Sequence, residues 1–294
     1  MLYEKGFESK EGTVIMPIKL KRSESFYIRE GWMEKAINTI NEKGETVNIF
    51  LKNDGVKELG IGSNMVKGLK YWLVSANIID NKRSQLTELG KALLKYDQYL
   101  DNKFSWFIIH YNLVSNKEDC PVFFDVFNED IQTFSKSDMT EILYEKFLLE
   151  DSNVNKKYVD ADLSTFIKSY VTEEVIKNPE DNYACPLSSL KLMRKEKNTY
   201  RLVKPMYKSL SCLVIYYALL HIYNDVEHFD IESSMECVNS PRKVFNLDKF
   251  MYLQYLDELQ KLGLITINKT AGLNTVYFQK RLQLTEIFEE EVNR

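Results

Sequence analysis

The side chains with the clearest chemical potential are cations grouped within residues 63–83. This segment contains one acidic residue, Asp80, and four basic residues: Lys67, Lys70, Lys82 and Arg83. Such a group suits contact with nucleic-acid phosphates, because phosphate binding depends on local charge and not on the net charge of the protein. The alternative is that these charges form an ordinary solvated surface.

An amphipathic helix and a short hairpin would position these cations. Ser63 is predicted to cap the helix through its hydroxyl, and one apolar face follows at helical spacing, formed by Met65, Leu69, Trp72, Leu73 and Ala76. The opposite face carries Asn64, Lys67, Gly68, Tyr71 and Ser75, with Lys70 alongside. A strand at 77–79, a basic turn at 80–84 and a return at 85–87 follow, and Thr87 is predicted to cap a helix over 88–96.

This order of elements predicts a winged helix-turn-helix over residues 23–100. In such a module the second helix enters the major groove and the hairpin tip contacts phosphate. The predicted DNA-binding residues are therefore Ser63, Asn64, Lys67, Lys70, Tyr71, Lys82 and Arg83. The alternative is a plain helical subdomain with a surface helix.

The C-terminal residues 206–294 repeat this order. A helix is predicted from the apolar positions Phe250, Leu253, Leu256, Leu259 and Leu262, with Gly263 at its end. Strands at 264–267 and 275–278 flank a turn that carries Lys269. Residues 242–281 hold seven basic and three acidic side chains. We expect a second winged-helix-like domain here, with Lys269 as its candidate DNA contact, although such modules also pair with proteins.

The middle of the chain, residues 101–205, is predicted to be a helical domain without repeats. Residues 118–183 hold 16 acidic and six basic side chains, a net charge of −10, which suits docking of a basic protein partner. Residues 104–114 are apolar almost throughout and predict a buried helix. The apolar run at 211–223 is too short to cross a bilayer, which needs about 20 residues.

Composition sets the outer limits. The chain has 294 residues, a net charge of −4, and 11 glycines and six prolines, which favours long regular elements and more than one domain. We expect a mainly α protein with small β-hairpins, in which winged helix-turn-helix modules at both ends flank the helical middle and residues 1–22 form an arm. No apolar leader is visible and the four cysteines are widely spaced, so a cytoplasmic location is expected.

Catalytic patterns are weak. The three histidines include His110 and His221 within apolar helices, where a core role is the simpler interpretation. The cysteines form no zinc-binding pair, and the Gly60-Ile61-Gly62 turn lacks the lysine of a phosphate-binding loop. Carboxylate pairs such as Asp160 and Asp162 have no spacing that singles out a metal site. From the residues alone we predict a DNA-binding module and no defined enzyme.

Several longer motifs resemble an uncharacterised bacterial domain family of DNA phosphorothioation and phage-defence cassettes, the family of the SspB-type component. They are the runs at 25–35, 59–66, 69–72, 86–90 and 110–113, with Glu180-Asp181-Asn182 and Cys185-Pro186-Leu187. They occur in order over most of the chain. Arg29 and Lys35, the basic residues of the first motif, become further candidates for DNA contact.

The resemblance implies partners and an activity. It implies duplex DNA as the ligand, and a phosphoadenosine-phosphosulfate-reductase-like protein and an ATPase of the same operon as protein partners. It also implies DNA nicking with Mg²⁺ as the cofactor, for which no residue of this sequence can be assigned. The alternative is a non-enzymatic adaptor or transcriptional regulator of the same cassette, and formation of a homodimer stays open.

Overall fold

The computed structural model describes residues 7–8, 14–15, 17–44, 47–51, 54–129, 131–172, 184–270 and 273–294. Most of these residues lie in helices, and the strands form small antiparallel sheets. The predicted fold class, mainly α with small β elements, is confirmed. Among the described residues, no helix is both long and apolar enough to cross a membrane.

The N-terminal residues, up to 100, contain two short strands and four helices. These elements are β1 (Phe7–Glu8), β2 (Val14–Ile15), α1 (Trp32–Lys43), α2 (Asp54–Leu59), α3 (Ser63–Ser75) and α4 (Glu88–Tyr96). Thr87 caps α4 as predicted, because its hydroxyl accepts the N–H of Gly90 at 3.2 Å. One prediction is wrong in detail, because Gly62 and not Ser63 occupies the cap position of α3.

The described part of residues 101–205 contains four α-helices, a short 3-10 helix (Pro186–Leu190) and a three-stranded sheet. The elements are α5 (Lys103–Ser115), α6 (Pro121–Asn128), β3 (Thr133–Ser135), α7 (Lys136–Glu150), α8 (Lys156–Tyr170), β4 (Met193–Glu196) and β5 (Thr199–Leu202). The sheet order is β3-β5-β4, and both pairings are antiparallel. The sequence did not predict these strands, since their inward apolar positions are few.

The C-terminal residues, 206–294, contain five helices and a second three-stranded sheet. The elements are α9 (Cys212–Ile222), β6 (His228–Asp230), α10 (Ile231–Glu236), α11 (Pro241–Val244), α12 (Lys249–Lys261), β7 (Ile265–Thr270), β8 (Leu273–Phe278) and α13 (Leu284–Val292). The predicted hairpin is confirmed by the register Ile265↔Phe278 to Thr270↔Leu273. The predicted buried face of α12 is shifted, because Phe250 is 71% exposed while Tyr252 and Tyr255 are buried.

The middle and C-terminal sheets share one order of elements. In each part of the chain, a helix is followed by one strand, then by further helices, and then by a two-stranded hairpin. The last strand of the hairpin pairs with the strand that came before the helices. In both sheets the sequence-first strand therefore lies at one edge, and the last strand lies in the centre. The middle and the C-terminal end thus share a topology, although the sequence shows no repeat.

The helix α5 forms the centre of one continuous core. Residues 104–114 of this helix are all buried, as the apolar sequence predicts. The helix packs against α6, α9 and α11, and α13 packs against both α4 and α9. Buried residues from all three parts of the chain join a single hydrophobic cluster. The three parts are thus held to one another by apolar packing, the dominant favourable contribution to folding.

Candidate nucleic-acid interface

The turn between α3 and α4 presents two cations at its tip. Ile79 and Leu86 form an antiparallel bridge, which closes the turn as a short hairpin. The Asp80 carboxylate accepts the backbone N–H groups of Arg83 at 2.6 Å and Gln85 at 3.0 Å. The hydrogen bond from the Arg83 N–H is the main reason that the pKa of Asp80 is lowered. The carboxylate therefore fixes the backbone, while Lys82 and the Arg83 side chain stay exposed.

The N-terminal half of α3 offers an exposed polar surface. Ser63, Asn64 and Lys67 are exposed, and the Lys67 ammonium lies 3.4 Å from the Asn64 side-chain oxygen. The cap residue of α3 is Gly62, which has no side chain to accept the first N–H groups of the helix. The first residues of a recognition helix are the ones that reach base edges. This half of the helix therefore keeps the geometry that the sequence predicted.

The other half of the predicted polar face is covered. The Tyr71 hydroxyl donates to the backbone carbonyl of Asp119 at 2.7 Å, and burial raises the pKa of Tyr71 well above its usual value. A Cβ at Gly68 would lie 2.7 Å from the carbonyl oxygen of Ser23. The expectation that Gly68, Tyr71 and Ser75 line an open face is wrong, because residues from before α1 and from the α5–α6 turn pack there.

Three further cations predicted to bind DNA have different surroundings. Lys70 is half-buried, with its ammonium 5.9 Å from the centre of the Phe50 ring. Arg29 lies 5.4 Å from the Trp32 ring, and Arg29 and Lys35 line an open cleft of about 720 Å³ between α1 and the α2–α3 turn. That cleft also contains four glutamates, which are Glu30, Glu34, Glu42 and Glu58. Arg29 and Lys35 therefore lie in a cleft of mixed charge whose lining does not include the cations of the hairpin tip.

Three of the seven cations within residues 242–281 are engaged by the protein itself. Lys249 pairs with Glu232 at 2.6 Å, and Arg242 pairs with Glu236 at 3.0 Å. The Arg281 guanidinium donates to the carbonyls of Tyr223 and Val226. Lys269 lies in β7, opposite Asn274, and its side chain falls outside the described residues. These contacts leave fewer cations for an external ligand than the sequence count suggests.

The residues that could support catalysis are held in structural roles. His110 accepts a hydrogen bond from Tyr170 and donates one to the Val244 carbonyl, both at 2.7 Å, and burial lowers its pKa to about 4. Burial raises the pKa of the Cys120 and Cys185 thiols to about 12. Within the described ranges, no group of three His, Cys, Asp or Glu side chains converges to hold a metal ion.

One basic element escaped the sequence interpretation. The hairpin β4–β5 and its flanks, residues 191–204, carry six cations and one acid. These two strands contain few apolar residues, which is why a hydrophobicity pattern does not reveal them. A simple count of cations along the chain was the signal available.

The fold and these surfaces define, over the described residues, a mainly helical protein with small antiparallel sheets and cationic hairpins at separate places along the chain. The family model described as "Protein of unknown function (DUF4007)" matches residues 20–291, and the chain belongs to this family. Two solved structures share its fold. A magnesium ion-bound SspB crystal structure matches with a TM-score of 0.82 and 21% identity, over 94% of this chain and 88% of that chain. A second SspB crystal structure matches with a TM-score of 0.81 and 20% identity, over the same shares of the two chains. No curated protein matches the chain.

Proposed function

We propose that this chain is a DNA-binding component of a bacterial DNA phosphorothioate modification and phage-defence system. The observation that carries the proposal is the exposed pair Lys82 and Arg83 on a clamped hairpin that directly follows the polar N-terminal half of α3. The family membership and the likeness to SspB structures support the cellular context. Duplex DNA is the proposed ligand, because its phosphates are the anions that such a helix and tip engage together.

The topology supports winged-helix-like modules. In the C-terminal residues, helix α9, strand β6, helices α10 to α12 and hairpin β7–β8 follow one another, with the last strand central in the sheet. The middle residues use α6, β3, α7, α8 and hairpin β4–β5 in the same order. The N-terminal residues use α1, α2, α3 and the Ile79–Leu86 bridge. We propose three such modules, one more than the sequence predicted.

Local charge favours the N-terminal module as a DNA contact. The ion pairs of the described residues include none with Lys67, Lys82 or Arg83, although Asp80 lies near enough to Arg83 for the Arg83 charge to contribute to the lowered pKa of Asp80. In the middle module, the segment around Lys21 lies against α8, the helix that corresponds to α3. The backbone N–H of Lys21 donates to Asp162 at 2.7 Å, and the Lys21 ammonium lies over the Tyr158 ring. Cations that neutralise DNA phosphates release the counterions condensed on the DNA, which makes this contact strong at low salt.

Nicking is a separate question from binding. The family resemblance implies Mg²⁺-dependent cleavage, and one solved SspB structure is magnesium ion-bound. The side chains that the structure describes do not supply a matching group of metal ligands. We therefore derive no cleavage step, and we propose DNA binding as the function of these surfaces.

A mobility-shift titration of the whole chain with a duplex of about 30 base pairs tests the proposal. We expect a shift at low salt that disappears steeply as salt is raised. A supercoiled-plasmid assay with Mg²⁺, and with EDTA in its place, measures nicking on the same sample. The absence of any shift at low salt would contradict the proposal.

A second candidate function is that of an adaptor for the reductase-like protein or ATPase of the cassette. The observation that favours it is the outer face of α7, where Glu141 and Glu145 accompany Ile142 and the 89% exposed Leu149. Acidic residues around exposed apolar side chains suit a basic protein surface. Co-purification with either neighbour, lost in Leu149→Glu and without a DNA shift, would favour this role over DNA binding.

A further inference from the structure

The hairpin β4–β5 with its flanks, residues 191–204, is the most cationic stretch of the protein; we call it the cationic hairpin. Its charged side chains are one glutamate, Glu196, and six cations: Lys191, Arg194, Lys195, Lys197, Arg201 and Lys204. The net charge of these 14 residues is +5, in a chain whose total charge is −4. Such a concentration attracts polyanions even when the protein as a whole is acidic.

The register of the two strands places like charges opposite each other. Arg194 lies directly opposite Arg201, and both side chains are on the face of the sheet that is exposed to solvent. Directly opposed like charges destabilise an antiparallel pair. The single carboxylate of Glu196 lies 2.6 Å from Arg194 and 3.9 Å from Arg201, so two guanidinium groups share one counter-charge.

Two lysines of the cationic hairpin occupy backbone positions that favour other residues. Lys197 begins the two-residue turn with φ +55°, and Lys191 precedes β4 with φ +57°. Asparagine and glycine adopt this left-handed region at lower cost, although at least five other described positions of this chain with different residues also adopt it. The two lysines therefore place charge just before β4 and just after it, at a modest backbone cost.

The composition of the exposed face indicates the kind of ligand. Beside Arg194 and Arg201 the register of the three strands places Glu196, Thr133, Ser135 and Thr199 on this face. The Ser135 hydroxyl caps α7 and the Thr199 hydroxyl donates to the Glu196 carbonyl. The two arginines are therefore the main donors of this face, and arginine is a typical donor to phosphate oxygens. Protein interfaces are instead centred on large apolar or aromatic anchors, and this face presents none at these strand positions.

We infer that the cationic hairpin is a second binding site for the phosphates of duplex DNA, separate from α3 and its hairpin tip. This inference rests on the proposed DNA-binding function and adds a contact on the middle module. A four-residue strand is about 13 Å long, so the hairpin can span two or more successive phosphates of one strand. In this arrangement Arg194 and Arg201 contact phosphates from the exposed face of the sheet, and Lys197 contacts a further phosphate from the turn.

The test compares two charge-removing variants of the whole chain by fluorescence anisotropy with a labelled duplex over a range of salt. The hairpin variant carries Arg194→Gln, Lys197→Asn and Arg201→Gln, and the control carries Lys91→Gln, Lys168→Gln and Lys208→Gln at exposed positions elsewhere. We expect the hairpin variant to bind about tenfold more weakly, with a salt slope smaller by about two to three. The control keeps wild-type binding.

The outcomes separate the inference from the proposed function. If the wild-type chain binds no duplex, both are overturned. If the wild type binds and the hairpin variant keeps its affinity and slope, the inference is overturned and the proposed function stands. A hairpin variant that loses binding to polyglutamate but not to DNA also overturns it, and assigns the surface to an acidic protein.

A second measurement does not depend on the folding of any variant. Duplex DNA is added to the wild-type chain before brief acetylation, and modified lysines are read by mass spectrometry. We expect Lys197 to be protected by DNA, while Lys91 and Lys168 are not. Equal modification of Lys197 with and without bound DNA would overturn the inference.

Discussion

The imidazole of His110 on α5 and the hydroxyl of Tyr170 at the end of α8 are joined by a buried hydrogen bond of 2.7 Å. The other ring nitrogen of His110 contacts the Val244 carbonyl, which can only accept, so it carries the proton and donates. The nitrogen facing Tyr170 therefore accepts from the hydroxyl. One histidine thus connects α5 to α8 and α11, and its nitrogens are fully used.

Replacing Tyr170 with Phe should destabilise the protein. The change leaves one buried nitrogen of His110 without a partner, which costs about 1–3 kcal/mol. Thermal or urea unfolding measures the loss. Tyr99→Phe is the matched control, because Tyr99 is 65% exposed and its hydroxyl can be replaced by solvent contacts. Equal stability of the two variants would show that the His110–Tyr170 bond is not formed.

Replacing Gly68 with Ala tests whether α3 is covered. On an open helix face this change would stabilise the protein by about 1 kcal/mol, because alanine has the higher helix propensity. Here the new Cβ would meet the Ser23 carbonyl at 2.7 Å, so we expect destabilisation by about 1–3 kcal/mol. Asn64→Ala on the exposed half of α3 is the control, with a small gain expected. A gain in stability for Gly68→Ala would contradict the packing described.

Asp162 should make the stability of the fold depend on pH. Burial raises the pKa of its carboxyl from 3.8 to about 6, against the opposing effect of the Lys21 N–H. Tyr71 and Cys120 also face this carboxyl. Because the folded pKa is above the unfolded one, the folded state holds the proton more tightly. The contribution of Asp162 to stability is therefore present below about pH 4 and is lost as the pH rises through about 6.

The variant Asp162→Asn isolates this effect. The amide keeps an oxygen for the Lys21 N–H and has no charge to bury. We expect Asp162→Asn to be more stable than the wild type at pH 8, with the difference shrinking toward pH 4. Unfolding measured across this range checks the prediction. A difference that does not change between pH 4 and pH 8 would place the pKa of Asp162 near its ordinary value.

Local patterns in the sequence predicted the helices and strands whose buried residues recur at regular spacing. The helix α5 is buried on every side and its sequence is apolar throughout, while β7 and β8 combine alternation with a polar turn. Thr87 was identifiable because a cap depends on neighbours two or three residues away. These features need no information about distant parts of the chain.

The features that the sequence did not predict depend on distant contacts or on charge. Gly68 meets Ser23 and Tyr71 meets Asp119, and neither partner lies within the periodic pattern of α3. In the cationic hairpin, Met193 and Leu202 are the buried pair of two four-residue strands, too few apolar positions for an alternating pattern. For the candidate site, the sequence therefore predicted the hairpin tip and the exposed start of α3. It did not predict that other parts of the chain cover the second half of α3.

The salt dependence of duplex binding by the wild type and by a variant with Lys67→Gln, Lys82→Gln and Arg83→Gln tests the central claim most directly. Asp80 holds the turn through the Arg83 backbone N–H, so the substitutions remove charge without removing that bond. We predict weaker binding and a slope of log K against log salt reduced by about two to three, since each lost phosphate contact contributes about 0.9. A variant with wild-type affinity and slope would contradict the claim that α3 and its hairpin tip bind DNA.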